Sequence, residues 1–248
     1  GFRFYAGIFR EGADGHAAWV TSDWASFAQK WQEWEAAGLR MIDIELYDGC
    51  AYVADDTGGL KIFDVSNPDA PVQIGSTTGG GLANAARIAV AGGPAGGTPY
   101  ARAYVLDASG NTTLRVYNVT LPSSPSWLSD YTEPGYEFRD VTASYGELSN
   151  YRTLVYASAI NASDGSGIVF ESTTPYPGYA SVTHWRQYVY YDADPSNHWR
   201  PFHLAVNGNK LFTTSDLGVS TGLLYTRLLV LNRYPLTFTL AGEADDIV

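Results

Sequence analysis

Short hydrophobic runs, bounded by Gly, Asn, Asp and Pro, follow one another along the chain after residue 40. Alternation of hydrophobic and polar positions with a period of two is typical of β-strands. Residues 51–54 (Ala-Tyr-Val-Ala) and 103–106 (Ala-Tyr-Val-Leu) are such runs, and an alternating run precedes each of them. A Leu-led run, a Pro-containing turn and a further strand-like run come next. The pattern predicts sheets of four consecutive strands joined by turns.

Two of these strand patterns recur along the chain. Residues 60–64, 114–118 and 228–232 share one pattern, and residues 167–171 are a divergent copy. A second series precedes each of these and begins near residues 42, 87, 139, 202 and 245. Its spacing of about 43 to 63 residues is typical of the four-stranded blades of a β-propeller.

The repeats therefore predict a mainly β fold, a β-propeller of four-stranded blades over residues 41–248. Four complete blades are expected, near residues 41–86, 87–138, 139–201 and 202–244. The last copy of the second series occupies residues 245–248. Two interpretations of it stay open. It begins a fifth blade that continues in a longer protein, or it serves as a replacement strand that closes the ring.

A helical periodicity is confined to the first 40 residues. Trp24, Phe27, Trp31 and Trp34 recur every three or four residues, which places them on one face of a helix. Strand-like runs precede this segment, so residues 1–40 are predicted to form a small α/β unit with one Trp-rich helix.

The N-terminal unit resembles one unit of a bacterial tandem-repeat module over about 47 residues. The resemblance rests on residues 5–10 (Tyr-Ala-Gly-Ile-Phe-Arg), the Trp-rich helix and residues 38–43 (Gly-Leu-Arg-Met-Ile-Asp). Such modules are found in the non-catalytic N-terminal part of secreted polyglycine-hydrolase-like proteins, which act through a separate serine-hydrolase domain with a Ser-x-x-Lys motif. Ser26 and Lys30 are one residue too far apart for that motif, so the resemblance implies no activity here.

Residues 51–72 look very like an LVIVD repeat, a short unit of bacterial and archaeal β-propellers that are mostly secreted or surface proteins. Residues 101–125 are a looser copy, and residues 152–248 match only in spacing and strand pattern. In that family the Asp-Val-Ser-x-Pro turn is structural, which assigns Asp64, Ser66 and Pro68 to a turn between two strands. The family has no shared catalytic residues, so none are carried over.

Composition excludes several functional classes. The chain has 15 Lys and Arg against 26 Asp and Glu, a formal charge of −11, which argues against binding to a nucleic-acid backbone. No apolar run is long enough to span a membrane. Cys50 is the single cysteine, so neither a disulfide framework nor a cysteine zinc site is expected. We expect Cys50 to be a small buried residue.

Few residues have a spacing that predicts chemistry. Asp192 and Asp194 belong to an Asp-Ala-Asp-Pro-Ser-Asn segment with oxygen ligands at alternate positions, which indicates a calcium loop or, alternatively, an Asx-rich turn. No other residue pattern in the sequence indicates a cofactor. Asp55 and Asp56 are expected in a turn or in solvent, and residues 92–97 in a flexible loop. The four histidines lack the spacing of metal ligands.

The segment from residue 175 to 201 is unusually aromatic and lengthens the third blade. Long aromatic loops often bind ligands, because rigid rings offer contact area at a small entropic cost. The candidate ligand-binding residues are Tyr176, Tyr179, Trp185 and Trp199. The alternative is that residues 188–191 (Tyr-Val-Tyr-Tyr) are simply a strand of the blade.

The sequence thus predicts a non-enzymatic interaction or scaffold protein of the cell surface or the extracellular space. Its partner would be another protein, further copies of itself in a homopolymeric surface assembly, or a glycan. The alternative, favoured by the N-terminal resemblance, is an accessory binding region of a secreted hydrolase whose catalytic domain lies outside this chain. A third hypothesis is an enzyme that acts at the centre of the propeller with a metal ion.

Overall fold

Strands make up most of the protein that the computed structural model describes. The description covers residues 5–11, 15–21, 40–41, 43–67, 70–95, 98–109, 112–145, 153–174, 185–188, 198–207, 210–218, 224–232 and 240–246. The segment predicted to form the Trp-rich helix, residues 22–39, lies outside these ranges. Within them, no helix has the length and apolarity required to cross a membrane.

The N-terminal residues form a small antiparallel sheet of their own. Its strands are β1 (Tyr5–Glu11), β2 (Gly15–Thr21) and β3 (Arg40–Met41), and β1 lies in the middle. The resemblance of this unit to the polyglycine-hydrolase module, and the domain boundary at residue 40, stay predictions.

Four sheets of four strands each follow, which we number 1 to 4 in chain order. Sheet 1 contains β4 (Asp43–Tyr47), β5 (Cys50–Ala54), β6 (Leu60–Asp64) and β7 (Val72–Thr77). Sheet 2 contains β8 (Ala85–Ala95), β9 (Thr98–Asp107), β10 (Thr113–Asn118) and β11 (Ser126–Tyr131). Sheet 3 contains β12 (Tyr136–Tyr145), β13 (Thr153–Asn161), β14 (Gly167–Thr174) and β15 (Trp185–Tyr188). Sheet 4 contains β16 (His198–Asn207), β17 (Lys210–Gly218), β18 (Leu224–Asn232) and β19 (Leu240–Asp246).

Each sheet is an up-and-down antiparallel meander, because neighbours in the sheet are also neighbours in the chain. The first strands of the sheets contact one another in succession, β4 with β8, β8 with β12 and β12 with β16. These four inner strands therefore lie at the centre, and the last strand of each sheet lies farthest from it. This is the architecture of a β-propeller, as the repeats predicted.

The prediction that an inner strand begins at residue 245 is wrong for Asp245 and Asp246, and closure of the ring stays a prediction. Asp245 and Asp246 pair with Arg227 and Thr226, as the end of β19. They complete the outer edge of sheet 4 instead of beginning another sheet. The misassignment arose because a short Asp-Asp-Ile-Val run matches the inner-strand pattern, although only its pairing partner determines its place in a sheet.

The hydrophobic core lies between successive sheets. Between sheets 1 and 2 it includes Tyr52, Ile62, Val90 and Val105. Corresponding clusters fill the spaces between sheets 2 and 3 and between sheets 3 and 4. Tyr52, Tyr104 and Tyr156 are fully buried. They occupy equivalent places in the second strands of sheets 1, 2 and 3, where each pairs with a residue of the inner strand. Burial of such large side chains stabilises the stacking of the sheets by about 25 cal/mol per Å².

Three predictions about short segments have different outcomes. Cys50 is buried, as expected. The start of the turn after β6 also forms as expected, with the Ser66 amide donating to Asp64 Oδ1 over 2.9 Å, and Pro68 lies outside the described residues. Residues 92–95, in contrast, belong to β8 and pair with residues 98–101 of β9. Glycine is needed there because a Cβ on Gly93 would overlap the ring of Tyr145.

Candidate functional site

The inner strands bring four polar residues to equivalent positions. The strand registers place Asp43 opposite Ala54, Arg87 opposite Leu106, Asp140 opposite Ser158, and His203 opposite Thr214, in each case at the inner edge of the sheet. We call Asp43, Arg87, Asp140 and His203 the axial set. One residue of each sheet therefore contributes to it.

A β-bulge precedes the axial residue in three of the four sheets. The extra residues are Ala86 in β8, Arg139 in β12 and Phe202 in β16. A bulge inserts one residue, bends the strand and changes the direction of the side chains that follow it. The repeated bulge accounts for the common placement of the axial residues in sheets 2, 3 and 4.

The axial set opens onto a cavity of roughly 310 Å³. All of its lining residues come from the four inner strands. They are Asp43, Glu45, Arg87, Ile88, Asp140, Val141, Thr142, His203 and Leu204. A volume of this size accommodates a small ligand or one side chain of a partner.

Both carboxylates of the axial set are hydrogen-bonded to the backbone of the next sheet. Asp43 Oδ2 accepts a hydrogen bond from the Ile88 amide over 2.8 Å. Asp140 Oδ2 accepts one from the Leu204 amide over 2.7 Å, and its Oδ1 accepts one from the Val141 amide over 2.9 Å. The bonds from Ile88 and Leu204 each join one inner strand to the next, whereas the Val141 bond lies within β12; together they hold the two carboxylates in fixed positions.

The two basic residues of the axial set lie closest to Asp140. Arg87 Nε is 3.9 Å from Asp140 Oδ1, and Arg87 Nη1 donates a hydrogen bond to the Ala86 carbonyl over 2.8 Å. His203 Nδ1 is 3.7 Å from Asp140 Oδ2, and the His203 side chain is 65% exposed. Asp140 is thus opposed by the charge of Arg87, lies beside His203 and is bound by two amides.

Glu45, two residues after Asp43, is the least compensated acid of the cavity. Burial, and then repulsion by Asp43, raises the pKa of Glu45 to about 7. No hydrogen bond from a described residue offsets these two effects. Burial also raises the pKa of Asp43 and of Asp140, although their backbone hydrogen bonds lower it in part. Within the described ranges, no three acidic, His or Cys side chains are grouped so as to hold a metal ion.

Two further ion pairs lie outside the cavity, one in sheet 1 and an equivalent one in sheet 2. Each links the end of the second strand of its sheet to the third strand. Asp55 forms an ion pair with Lys61, and the equivalent Asp107 forms one with Arg115 over 2.8 Å. Asp55 is fully buried and begins a turn in which its carbonyl accepts a hydrogen bond from the Gly58 amide, so its prediction as a turn acid is confirmed and the alternative of a solvated acid is wrong. Asp107 Oδ1 also accepts a hydrogen bond from the Asn84 amide over 3.0 Å. These pairs are structural, because they fix the strands and the loop before sheet 2.

Most of the site residues predicted from the sequence are not described. Tyr176, Tyr179, Asp192 and Asp194 lie outside the described residues, so the calcium loop stays a prediction.

The two predicted tryptophans lie in strands. Trp185 begins β15 and pairs with Ser172. Trp199 is in β16 and pairs with Leu217. Tyr188, at the end of β15, pairs with Val169, which supports the strand interpretation for that residue. The aromatic ligand site stays a prediction.

The sequence analysis did not identify the axial set. A partial signal was available, since Asp43, Asp140 and His203 are each the second residue of their copy of the inner-strand series. Arg87 is the first residue of its copy, so only the strand register places it with the other three.

Comparisons with known proteins support the repeat assignment over part of the chain. Residues 41–78 match the model of the LVIVD repeat family, which confirms the resemblance over that segment. The search of curated proteins found no match.

Two solved structures show partial similarity. An alpha-L-arabinofuranosidase from Clostridium thermocellum is 11% identical, with a TM-score of 0.46, over 81% of this chain and 70% of that one. A mutant apocarotenoid oxygenase from Synechocystis is 13% identical, with a TM-score of 0.41, over 96% of this chain and 60% of that one. At these identities and TM-scores, neither structure bears on the activity of this chain.

Proposed function

We propose that this chain, with its LVIVD repeat, is a non-enzymatic interaction module of an extracellular or cell-surface protein, and that it binds its partner in the axial cavity. The supporting observation is that backbone amides of the neighbouring sheets hold Asp43 and Asp140. A polar cavity whose charged groups are fixed before binding loses little entropy when a ligand enters. The extracellular or surface location rests on the resemblance to LVIVD-repeat proteins.

The geometry favours binding over catalysis. Both oxygens of Asp140 accept amide hydrogen bonds, which favour its ionised form and make this carboxylate a weaker base. His203 Nδ1 is 3.7 Å from Asp140, which is longer than the hydrogen bond that orients a catalytic histidine. The axial groups are therefore arranged to hold a charged ligand.

One observation favours an enzyme as the second candidate. The pKa of Glu45 is raised to about 7, which is the range in which a carboxyl group is useful as a general acid or base. The accessory region of a secreted hydrolase also remains an alternative, and a serine-hydrolase domain encoded downstream in the same gene would favour it.

A thermal-shift screen with four probe classes tests the proposal. The probes are n-butylamine, methylguanidine, propionate and a neutral disaccharide, each at millimolar concentration. One class should raise the melting temperature of the wild type, by about 3 °C or more if its concentration is about ten times Kd. The Asp43→Asn/Glu45→Gln variant should lose this shift. The variant Glu137→Gln, which changes an exposed acid on β12, should keep it.

The outcomes of this screen separate the alternatives. If no class shifts the wild type, or if all three proteins shift equally, the axial cavity is not the binding site and the proposal is overturned. Mass spectrometry of the recovered probe distinguishes binding from turnover. A chemically altered probe would favour the enzyme over the interaction module.

A further inference from the structure

The chemistry of the axial cavity restricts the ligand further, if the cavity is the binding site that we propose. Asp43 and Glu45 lie two residues apart on β4 and both line the cavity. Residues two apart on a strand point to the same face, with their Cα atoms about 6.6 Å apart. Their carboxyl groups can therefore contact one small group between them.

The charged groups that face Glu45 leave it without compensation. On its own strand it faces Asp43, which repels it. Across the cavity lie Arg87 of β8, Asp140 of β12 and His203 of β16. Arg87 and His203 are both within 4 Å of Asp140, and Asp140 also accepts two amide bonds. Arg87 and His203 also offset the charge of Asp43 in part, but neither is among the groups that act on Glu45, so an acceptor site for a cation remains beside Glu45.

The shape of this site favours an ammonium group over other cations. A divalent metal ion needs several ligands at short distances, and the described residues offer no such group. A guanidinium group is planar and binds best to one carboxylate through two parallel hydrogen bonds. A primary ammonium group is a compact charge with three N–H donors in different directions, which suits two carboxyl groups on one strand face.

We infer that the axial cavity binds a primary ammonium group between the carboxyl groups of Asp43 and Glu45. The group belongs to a lysine side chain of a protein partner or to a free small amine. Both sources share the same chemistry, and the experiment below distinguishes them.

Binding of an ammonium group depends on pH, because it requires the ionised form of Glu45. The pKa of Glu45 in the free protein is about 7, so the carboxyl group is increasingly protonated below that pH. Affinity should fall about tenfold for each pH unit between 7 and 5. The other charged or titratable groups that line the cavity are Asp43, Arg87, Asp140 and His203.

Carboxyl NMR on the folded protein tests the inference. In a sample with ¹³C-labelled glutamate, the Glu45 signal is assigned from the Glu45→Gln variant and titrated with and without n-butylamine. We expect the amine to lower the pKa of Glu45 from about 7 to below 6. A peptide, acetyl-Gly-Lys-Gly-amide, should have the same effect if the natural ligand is a lysine, and its Nε-acetylated form should have none. An effect of n-butylamine alone assigns the site to a free small amine.

Three outcomes would overturn the inference. They are an unchanged Glu45 titration in n-butylamine, equal binding of the acetylated peptide, and undiminished amine binding by Asp43→Asn. The titration itself is carried out on the wild type, and a folded Glu45→Gln variant is needed only to assign the Glu45 signal. A hit of the carboxylate or disaccharide class in the thermal screen would overturn the ammonium inference and leave the binding function intact. No hit in any class would overturn both.

Discussion

Buried acids of this protein differ in how their charge is compensated. Burial alone would raise the pKa of Asp107, but hydrogen bonds from Ser109, Arg115 and Ala83 lower it below its ordinary value. Glu45 has no such bonds from the described residues, and its pKa rises to about 7. The first acid stabilises the fold in its ionised form, and the second destabilises it in that form.

The pH dependence of stability should reveal Glu45. Its pKa is about 7 in the folded protein against an ordinary value of 4.5, so the folded state binds more protons between these pH values. The free energy of unfolding should therefore fall as pH rises from 4.5 to 7, by on the order of 3 kcal/mol from this residue. Urea unfolding of the wild type and Glu45→Gln at several pH values measures the difference. Parallel curves for the two proteins would contradict it.

Inner strands are the elements on which the site depends. In sheets 1 and 3, the axial aspartate of one strand accepts an amide bond from the next inner strand. In sheets 2, 3 and 4, a bulge sets the direction of the axial residue. The same strands therefore supply both the contacts between sheets and the charged groups of the cavity.

Removal of Asp140 should loosen sheet 4 from sheet 3. Asp140→Ala leaves the Leu204 and Val141 amides without their acceptor, and loss of a buried charged acceptor costs about 2–4 kcal/mol. Hydrogen exchange of the Leu204 amide should become at least tenfold faster, with a smaller effect in Asp140→Asn. Glu137→Ala, on the exposed face of β12, is the control. Unchanged exchange at Leu204 in Asp140→Ala would contradict the prediction.

The sequence predicted the elements better than the contacts between them. Alternation and turn residues located the strands of sheets 1 and 2, and the Asp64 turn, because these depend on neighbours in the chain. Burial of Asp55 depends on Lys61 across a strand pair, and a local Asp-Asp-Thr-Gly-Gly run gives no indication of it. The axial set depends on bulges and on residues 45 and 64 positions apart, so it became visible only in the structure.

At the scale of the whole molecule, the net charge and the exposed hydrophobic side chains have opposite effects on the association of copies. The formal charge of −11 keeps copies apart by repulsion. Val72, Leu121 and Trp127 are large hydrophobic residues that are about half exposed or more, and all three lie in or next to the outer strands of sheets 1 and 2. Burial of such residues would favour association of copies.

A homopolymeric assembly should therefore depend on ionic strength. Sedimentation of the purified chain should give a mass above 26.9 kDa that increases from about 50 to 500 mM NaCl, because salt screens the repulsion between copies. If Asp192 and Asp194 bind calcium within the assembly, a chelator should reduce the mass. A species of 26.9 kDa under every condition would make both the assembly and the calcium predictions wrong.

The amide bonds between inner strands also set an order for folding during synthesis on the ribosome. Asp43 finds its partner amide 45 residues later in the chain, and Asp140 finds its own 64 residues later. Until those residues leave the exit tunnel, each carboxylate must stay hydrated or bind a proton, because an unpartnered buried charge is costly. Sheets 1 and 3 can therefore dock fully only when the following sheet has been made.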